Sequence, residues 1–500
     1  MRWRNGVLAA LVGLCTLTAV QEVLAQAPLF TDVLPKEEFA ERRARVMQQI
    51  GDAAAIIQGS AEYPAFIKFR QNNQFFYLSG VEVPRAILVI DGRRKQSTLY
   101  IPPRNEPLER MEGAVLIPGE EAVRVTGIER VLPRDEFAGY LVRLGQERRT
   151  LYLPFQPETR TAGTGKQALD HAAATAADPW DGRPSREAAF FERVRAHVPQ
   201  LELANLDPIL FAMRQIKSPR EIAIVREAAR IAGLAMMEAM RSASVGMYEY
   251  ELEAVGDYIF KKHNARGGGY YALVAAGKNA LYPHYHANQA QLGDGDLVLY
   301  DYAPDYKYYT LDVTRVFPAN GRFSAAQREL YTAYLRVYQS LIVSVRPHAT
   351  QAEILKDAVK RMEAALATHH VSDPKHREAV ARFVDSFRGA DGWLVSHEVG
   401  MEVHDPSYPE GPLKPGMVFS IEPSLRIPED GIYIRLQDAI VVTDTGYENL
   451  SGFVPVEADA IERLMAEEGP NLGRKRGEVE NTRPFRRPNT GMHLTGFARR

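Results

Sequence analysis

One cysteine is all that the 500 residues contain, and it stands at position 15. It lies inside a stretch that reads as a secretory leader. "MRWRNGVLAALVGLCTLTAVQEVLAQAP" opens with two arginines, is apolar from Val7 to Val20, and offers small or apolar residues for cleavage after Ala25. Removing that leader leaves a chain without a thiol, which excludes disulfides, a cysteine nucleophile and thiolate metal ligands. A lipid anchor on Cys15 is disfavoured, because Leu14 is bulkier than the small residue such a site needs. The apolar run is also short for a bilayer, so the expected location is periplasmic or secreted, with no stable membrane anchor; an uncleaved anchor is the competing reading. Charge of one sign is lacking too. Lys and Arg number 61 against 63 Asp and Glu, and a formal charge of -2 gives no basis for nucleic acid as a partner. No internal repeat of solenoid period is present.

What is there is an ordinary globular balance, 45% hydrophobic and 25% charged, over a length that calls for more than one core. Helical apolar spacing from Phe39 to Ile50 is followed by strand-like "AAAIIQGS" and "RAILVID", ended by Gly59 and Gly92, then by "STLYIP" and "RTLYLPF". This predicts an α/β domain over residues 26–205. Ser218, Pro219 and Glu221 form an N-cap, a first-turn proline and a capping-box acid, which start a helix over about 219–241 and a second domain, 206–466. A second capping box at 324–327, "SAAQ", starts another helix that should end near Val345. From 467 onward a disordered basic tail is expected, since residues 469–500 carry eight Arg or Lys against two Glu.

Five stretches carry candidate chemistry. In "LVLYDYAPDYKYYTLDVTRVF", Asp301 ends one apolar run and Asp312 sits eleven residues on in a second. Paired as a hairpin, the two runs put both carboxylates on one face, where like charges need a shared proton or cation. The plain alternative is two aspartates capping turns in solvent. "SHEVGMEVHDPSY" holds His397 and His404, "GMVFSIEPSL" puts Glu422 between an apolar strand and a proline, and "YPHYHANQ" holds His284 and His286 among aromatics. Each has a bland structural explanation when taken alone. Together they are hard oxygen donors with imidazole and no thiolate, a set that suits Mn, Co, Zn or Fe in a two-metal hydrolase better than a structural zinc. The fifth stretch, "IYIRLQDAIVV" at 432–442, alternates as one half-buried strand whose polar face carries Arg435 and Gln437.

The order Asp, eleven residues, Asp, His, Glu-Pro and a strand "IRxxD" resembles the pita-bread metallopeptidases, peptidase family M24, and within them aminopeptidase P. "FRQNNQFFYLSG" at 69–80 is similar to a motif of that family's N-terminal domain, and "MRQIKSPREIAIVREA" to the start of its catalytic domain. "VAAGKNA", "GDLVLYD", "DVTRVFPANGRFS" and "PGMVFSIEP" follow in the family's order. The resemblance implies a creatinase/aminopeptidase P-like α/β domain, then a pita-bread catalytic domain with a curved antiparallel sheet flanked by helices. It implies two divalent ions, manganese by expectation, and hydrolysis of the N-terminal Xaa-Pro bond by a metal-bound hydroxide. Peptides with proline second would be the partners of a homo-oligomer.

Asp301, Asp312, His397 and Glu422 match the family's metal ligands. Glu422 is also the matched proton shuttle, His284 and His404 match histidines that contact substrate, and Arg435 matches an arginine beside the metals. Two positions depart from the pattern. Gln437 stands where the family's strand has a bridging Glu, and a carboxamide offers one neutral oxygen in place of a charged pair, which should weaken the second metal site. Trp393 stands where aminopeptidase P commonly has a histidine. A prolidase-like dipeptidase and a catalytically impaired peptide-binding homologue stay open as alternatives; a metal-free amidinohydrolase on the same fold is opposed by the retained ligands.

Overall fold

The strands "AAIIQ", "ILVID" and "QSTLYI" are buried along nearly their whole length and so on both faces, and helices must cover the sheet they form. The computed structural model describes residues 33–62, 67–159, 162–389, 394, 396–406 and 411–467. The leader, nearly all of the basic tail and Trp393 lie outside them. The chain divides into two compact units between Phe211 and Ala212, with residues 162–164 counted in the second.

In the first unit, strands β1 (Ala54–Gln58), β2 (Ile87–Asp91), β3 (Gln96–Ile101), β4 (Arg130–Pro133), β5 (Leu151–Leu153) and β6 (Leu203–Asn205) form one mixed sheet in the order β4-β3-β2-β1-β5-β6. Helix Lys36–Ile50 buries Phe39, Val46, Met47 and Ile50, and helix Phe137–Gln146 buries Phe137, Leu141 and Leu144 against the sheet's core. The motif at 69–80 does architectural work: Asn72 caps helix Asn73–Ser79 by accepting from the Phe75 N–H at 2.7 Å, and Gln71 accepts from the Ser60 N–H.

Arg149 is one of this unit's buried charges. Its guanidinium meets both oxygens of Asp91 at 2.6 and 2.9 Å and donates to the carbonyls of Asp52 and Ala53. Burial raises the Asp91 carboxyl, but hydrogen bonds from Arg149 and Arg94 outweigh it and hold it down at about 2. A depressed carboxylate stabilises the fold above its ordinary value of 3.8, and that contribution fades as pH falls towards 2. Asp91→Asn takes from Arg149, 3% exposed, its bidentate carboxylate and leaves it only Glu147 at 3.3 Å and the two carbonyls. It is expected to cost about 3 kcal/mol in urea unfolding followed at neutral pH, and much less near pH 2.

The second unit opens with helix Pro219–Ser242, started by the Ser218/Glu221 capping box, and its later helix Ala325–Ile342 starts at the Ser324/Gln327 box. Its strands are β7 (Leu273–Ala276), β8 (Leu297–Asp301), β9 (Thr314–Pro318), β10 (His397–Glu398), β11 (Val418–Ile421), β12 (Ser424–Ile427), β13 (Ile432–Arg435), β14 (Asp438–Val442) and β15 (Tyr447–Asn449). They form antiparallel sheets β7-β8-β9, β10-β11-β14-β15 and β12-β13, the curved sheets of the fold.

The stretch 432–442, expected as one strand, breaks at Leu436 and Gln437. The reason is a change of partner: β13 pairs with β12, β14 pairs with β11, and at the break Gln437 bridges to Thr314 at the start of β9. Tyr334, from helix Ala325–Ile342, closes the gap. Its hydroxyl accepts from the Leu436 N–H at 2.7 Å and donates to the Pro423 carbonyl at 2.6 Å, so one side chain satisfies backbone groups at two breaks.

Candidate metal centre

Strand ends, not strand middles, supply the site. Asp301 is the last residue of β8, facing Thr314 across the hairpin; Asp312 lies just ahead of β9; Glu422 directly follows β11. His397 opens β10, paired with Ser420, and Arg435 closes β13, paired with Ser424. A side chain at the end of a ladder can turn across the neighbouring strand, and these five turn towards one another.

His397 is the hub. Its Nε2 lies 3.3 Å from Asp312 Oδ2 and 3.4 Å from Glu422 Oε1, and its ring stacks on His404 with centroids 3.9 Å apart. Asp312, His397 and His404 each offer a ligand atom within 4.8 Å of the others, a group able to hold a metal ion. Arg435 pairs with Asp301 and comes within 3.4 Å of Glu422. Thus the structure brings the sequence-selected Asp301, Asp312, His397, Glu422 and Arg435 together, with His404 above His397. His284 is exposed and close enough to His404 to act on it electrostatically, whereas His286 packs at a tilt against the Tyr271 ring.

Gln437 is at the centre but occupied. It is fully buried, its Oε1 accepts from the Thr314 hydroxyl at 2.8 Å, and its Nε2 lies 3.5 Å from His397 Nε2.

Charge explains the protonation states. Burial, followed by repulsion from Asp312, raises Asp301 well above the usual carboxylate range. Burial pushes Asp312 the same way, but His397 and Arg435 overcome it and hold Asp312 ionised. Desolvation by the surrounding cleft, then the neighbouring His397, lowers His404 to about 4 although the side chain keeps solvent-exposed surface, which leaves a neutral imidazole at physiological pH. The donor set fits a hard divalent cation: three carboxylates and imidazole nitrogen, mostly buried, with one guanidinium among them and surplus negative charge.

Two contacts escaped sequence reasoning. The Tyr270 hydroxyl lies 2.7 Å from Asp301 Oδ1 and 2.8 Å from Asp312 Oδ1, so one phenol orients both aspartates. The signal was "RGGGYY", which reads as a turn. The glycines let this segment press against Tyr302 and Thr310, where any Cβ at Gly268 or Gly269 would collide, and that approach delivers Tyr270. The Ser396 hydroxyl, adjacent in sequence to His397, donates to Glu422.

Comparison with known proteins is consistent across sequence and structure. Residues 223–444 match the model of metallopeptidase family M24, and residues 39–152 that of the aminopeptidase P N-terminal domain. The Xaa-Pro aminopeptidase of Escherichia coli (strain K12) is 32% identical over 457 residues, covering 86% of this chain and 98% of its own. That of Haemophilus influenzae is 30% identical over 460 residues, at 86% and 98% coverage. Among solved structures, E. coli aminopeptidase P with the inhibitor Pro-Leu superposes with TM-score 0.69 at 30% identity, covering 86% of this chain and 98% of that one.

Proposed function

The chain belongs to metallopeptidase family M24 and is a metal-dependent aminopeptidase, a hydrolase, and on that premise we propose that it cleaves the N-terminal residue from peptides with proline second, using one firmly held divalent ion and a weak second site. The observation that carries this reading is the convergence of Asp312 and Glu422 on His397 Nε2, at 3.3 and 3.4 Å. Charge supports the single firm ion. A cation at this site would displace the proton from Asp301 and leave the histidines neutral, so Asp301, Asp312 and Glu422 against the Arg435 guanidinium would then carry a surplus of two negative charges, which one dication balances and a second overshoots. Oxygen donors with imidazole favour manganese.

When bound, the cation supplies a water of lowered pKa and polarises the scissile carbonyl. The chain's own residues do the rest. Glu422 accepts the water's proton and passes it to the leaving proline nitrogen, a transfer that needs a carboxylate within hydrogen-bond reach of both. Its orientation comes from Arg435 on one oxygen and Ser396 on the other. His404, neutral and exposed beside His397, donates an N–H to the oxygen on which charge develops, with His284 on the approach side. The leader-like N-terminus supports a periplasmic or secreted location.

Purified protein with added manganese is expected to hydrolyse an Xaa-Pro-Xaa peptide, to lose that activity with a chelator, and to carry close to one tightly bound metal per chain. Absence of both turnover and metal would overturn the proposal. The tie between Gln437 and Thr314 favours one second reading, a peptide-binding homologue with an impaired centre. Its signature is peptide binding indifferent to chelators. Cleavage of Xaa-Pro dipeptides with no cleavage of longer peptides would instead point to a prolidase-like dipeptidase.

A further inference from the structure

We infer that Lys217 and Arg214 are positioning residues that set where His404 stands beside His397. The inference rests on the proposed reading of this site as a peptidase centre. The two histidines stand on either side of one short excursion's start: the chain leaves β10 after Glu398, carries His404, and returns at Asp405, whose N–H donates to the Glu398 carbonyl at 2.9 Å. His397 is held by the sheet, through its pairing with Ser420. His404 lies beyond the sheet, with an isolated bridge to Thr164 in place of a strand partner, so its place depends on what fills the excursion.

What fills it is charge. Arg214 Nη2 donates to Glu402 at 2.9 Å and to Asp405 at 2.5 Å, which clamps the chain on both sides of His404. Lys217 Nζ lies 3.2 Å from Asp405 and 3.6 Å from Glu398, and Gln215 donates to Glu398 at 2.9 Å. All five charged side chains are at most 6% exposed. Gly400 shows how tightly they fit: a Cβ there would lie 2.7 Å from Asp405 Oδ2 and 3.0 Å from Lys217 Cε.

Burying five charges is a poor way to gain stability, since desolvation offsets most of the attraction and well-packed apolar side chains would serve as well. What such a network supplies is direction, because each contact holds only over a narrow range of distance and angle. Removing the cations loosens the hold on Asp405 and Glu402, and with it the backbone that aims His404. The strand that carries His397 stays paired.

The test is Lys217→Met, read three ways: bound manganese, steady-state kinetics on an Xaa-Pro-Xaa peptide, and the rate at which diethylpyrocarbonate modifies His404, followed by peptide mass spectrometry. Bound metal is expected to stay within about twofold, and kcat to fall by about 30- to 100-fold with KM changed less than about threefold, the scale of a small misplacement near the chemistry. His404 should be modified several times faster, with His284 as the unchanged internal reference. In a His404→Ala background Lys217→Met should cost less than about threefold more, because the two act through one group. Lys217→Arg should restore most of kcat. Should Lys217→Met fail to fold, Gly400→Ala perturbs the same contact with every charge in place, and the same signature is expected. A variant that is less stable but unchanged in kcat per folded molecule and in His404 modification would overturn the inference, as would a full additional loss in the His404→Ala background. A wild type without turnover would sink the peptidase reading, while the modification rates would still decide this one.

Discussion

Asp312→Asn is expected to strip the bound metal and to lower hydrolysis of an Xaa-Pro-Xaa peptide by at least about 10³-fold. Asp312 is the carboxylate on which the centre turns. One oxygen faces His397 at 3.3 Å and the other faces Tyr270 at 2.8 Å, and it is the aspartate kept ionised while Asp301 is pushed towards its neutral form. Asparagine keeps the shape and one neutral oxygen but loses a full charge. Surplus negative charge then falls from two to one, too little to balance a dication in a mostly buried pocket. Metal analysis after dialysis and kcat/KM on the same preparation are the direct measurements. Thermal unfolding supplies an independent one, since manganese should raise Tm in the wild type and leave Asp312→Asn unmoved. Retention of metal by the variant would show that Asp312 is not the principal ligand.

The second large effect runs the other way. Gln437→Glu is expected to raise the metal content from about one to about two ions per chain and to increase kcat/KM by on the order of tenfold or more. The substitution is isosteric, so the buried position admits it and the Thr314 hydroxyl can still donate to it, as it does to Gln437 Oε1 at 2.8 Å. What changes is the second atom. The Gln437 Nε2, a donor 3.5 Å from His397 Nε2, becomes an oxygen able to take a cation, and surplus negative charge rises from two to three. Without metal that added charge is buried and poorly paired, so the metal-free variant should be less stable than wild type; with saturating manganese the order should reverse. Titration calorimetry would read the second binding event. A variant that still binds one ion, with unchanged turnover, would show that Gln437 does not limit the second site.

Much of this centre is legible in the amino-acid sequence alone. Asp301, Asp312, His397 and Glu422 stand out because their order and spacing resemble the ligand pattern of the pita-bread metallopeptidases, although each taken singly has a bland explanation. Helix starts at Ser218 and Ser324 are equally readable, since a capping box is a local pattern whose hydrogen bonds close within four residues. The strand break at Leu436 and Gln437 is not. Alternation across 432–442 is a property of neighbouring residues, whereas the break is imposed by Thr314, more than a hundred positions away, and sealed by Tyr334 from a helix. Tyr270 escapes for the same reason, as does the clamp of Arg214 and Lys217, whose segment resembles the start of the catalytic domain but does not name its distant partners Glu402 and Asp405.

By itself, then, the sequence determined the chemistry that this protein can hold: which carboxylates and histidines are present, the one place where an amide replaces an acid, and the order in which all of them come. Only the tertiary structure decided which atoms of those groups are free to act. Asp301 turns one oxygen to Arg435 and the other to Tyr270, Gln437 is tied through its oxygen to Thr314, and His404 is aimed by charges buried beneath it. The physical reason is range. Propensity, capping and alternation are settled over a few residues, but a hydrogen bond in a buried pocket goes to whichever partner the fold brings within about 3 Å, and no local pattern names that partner in advance.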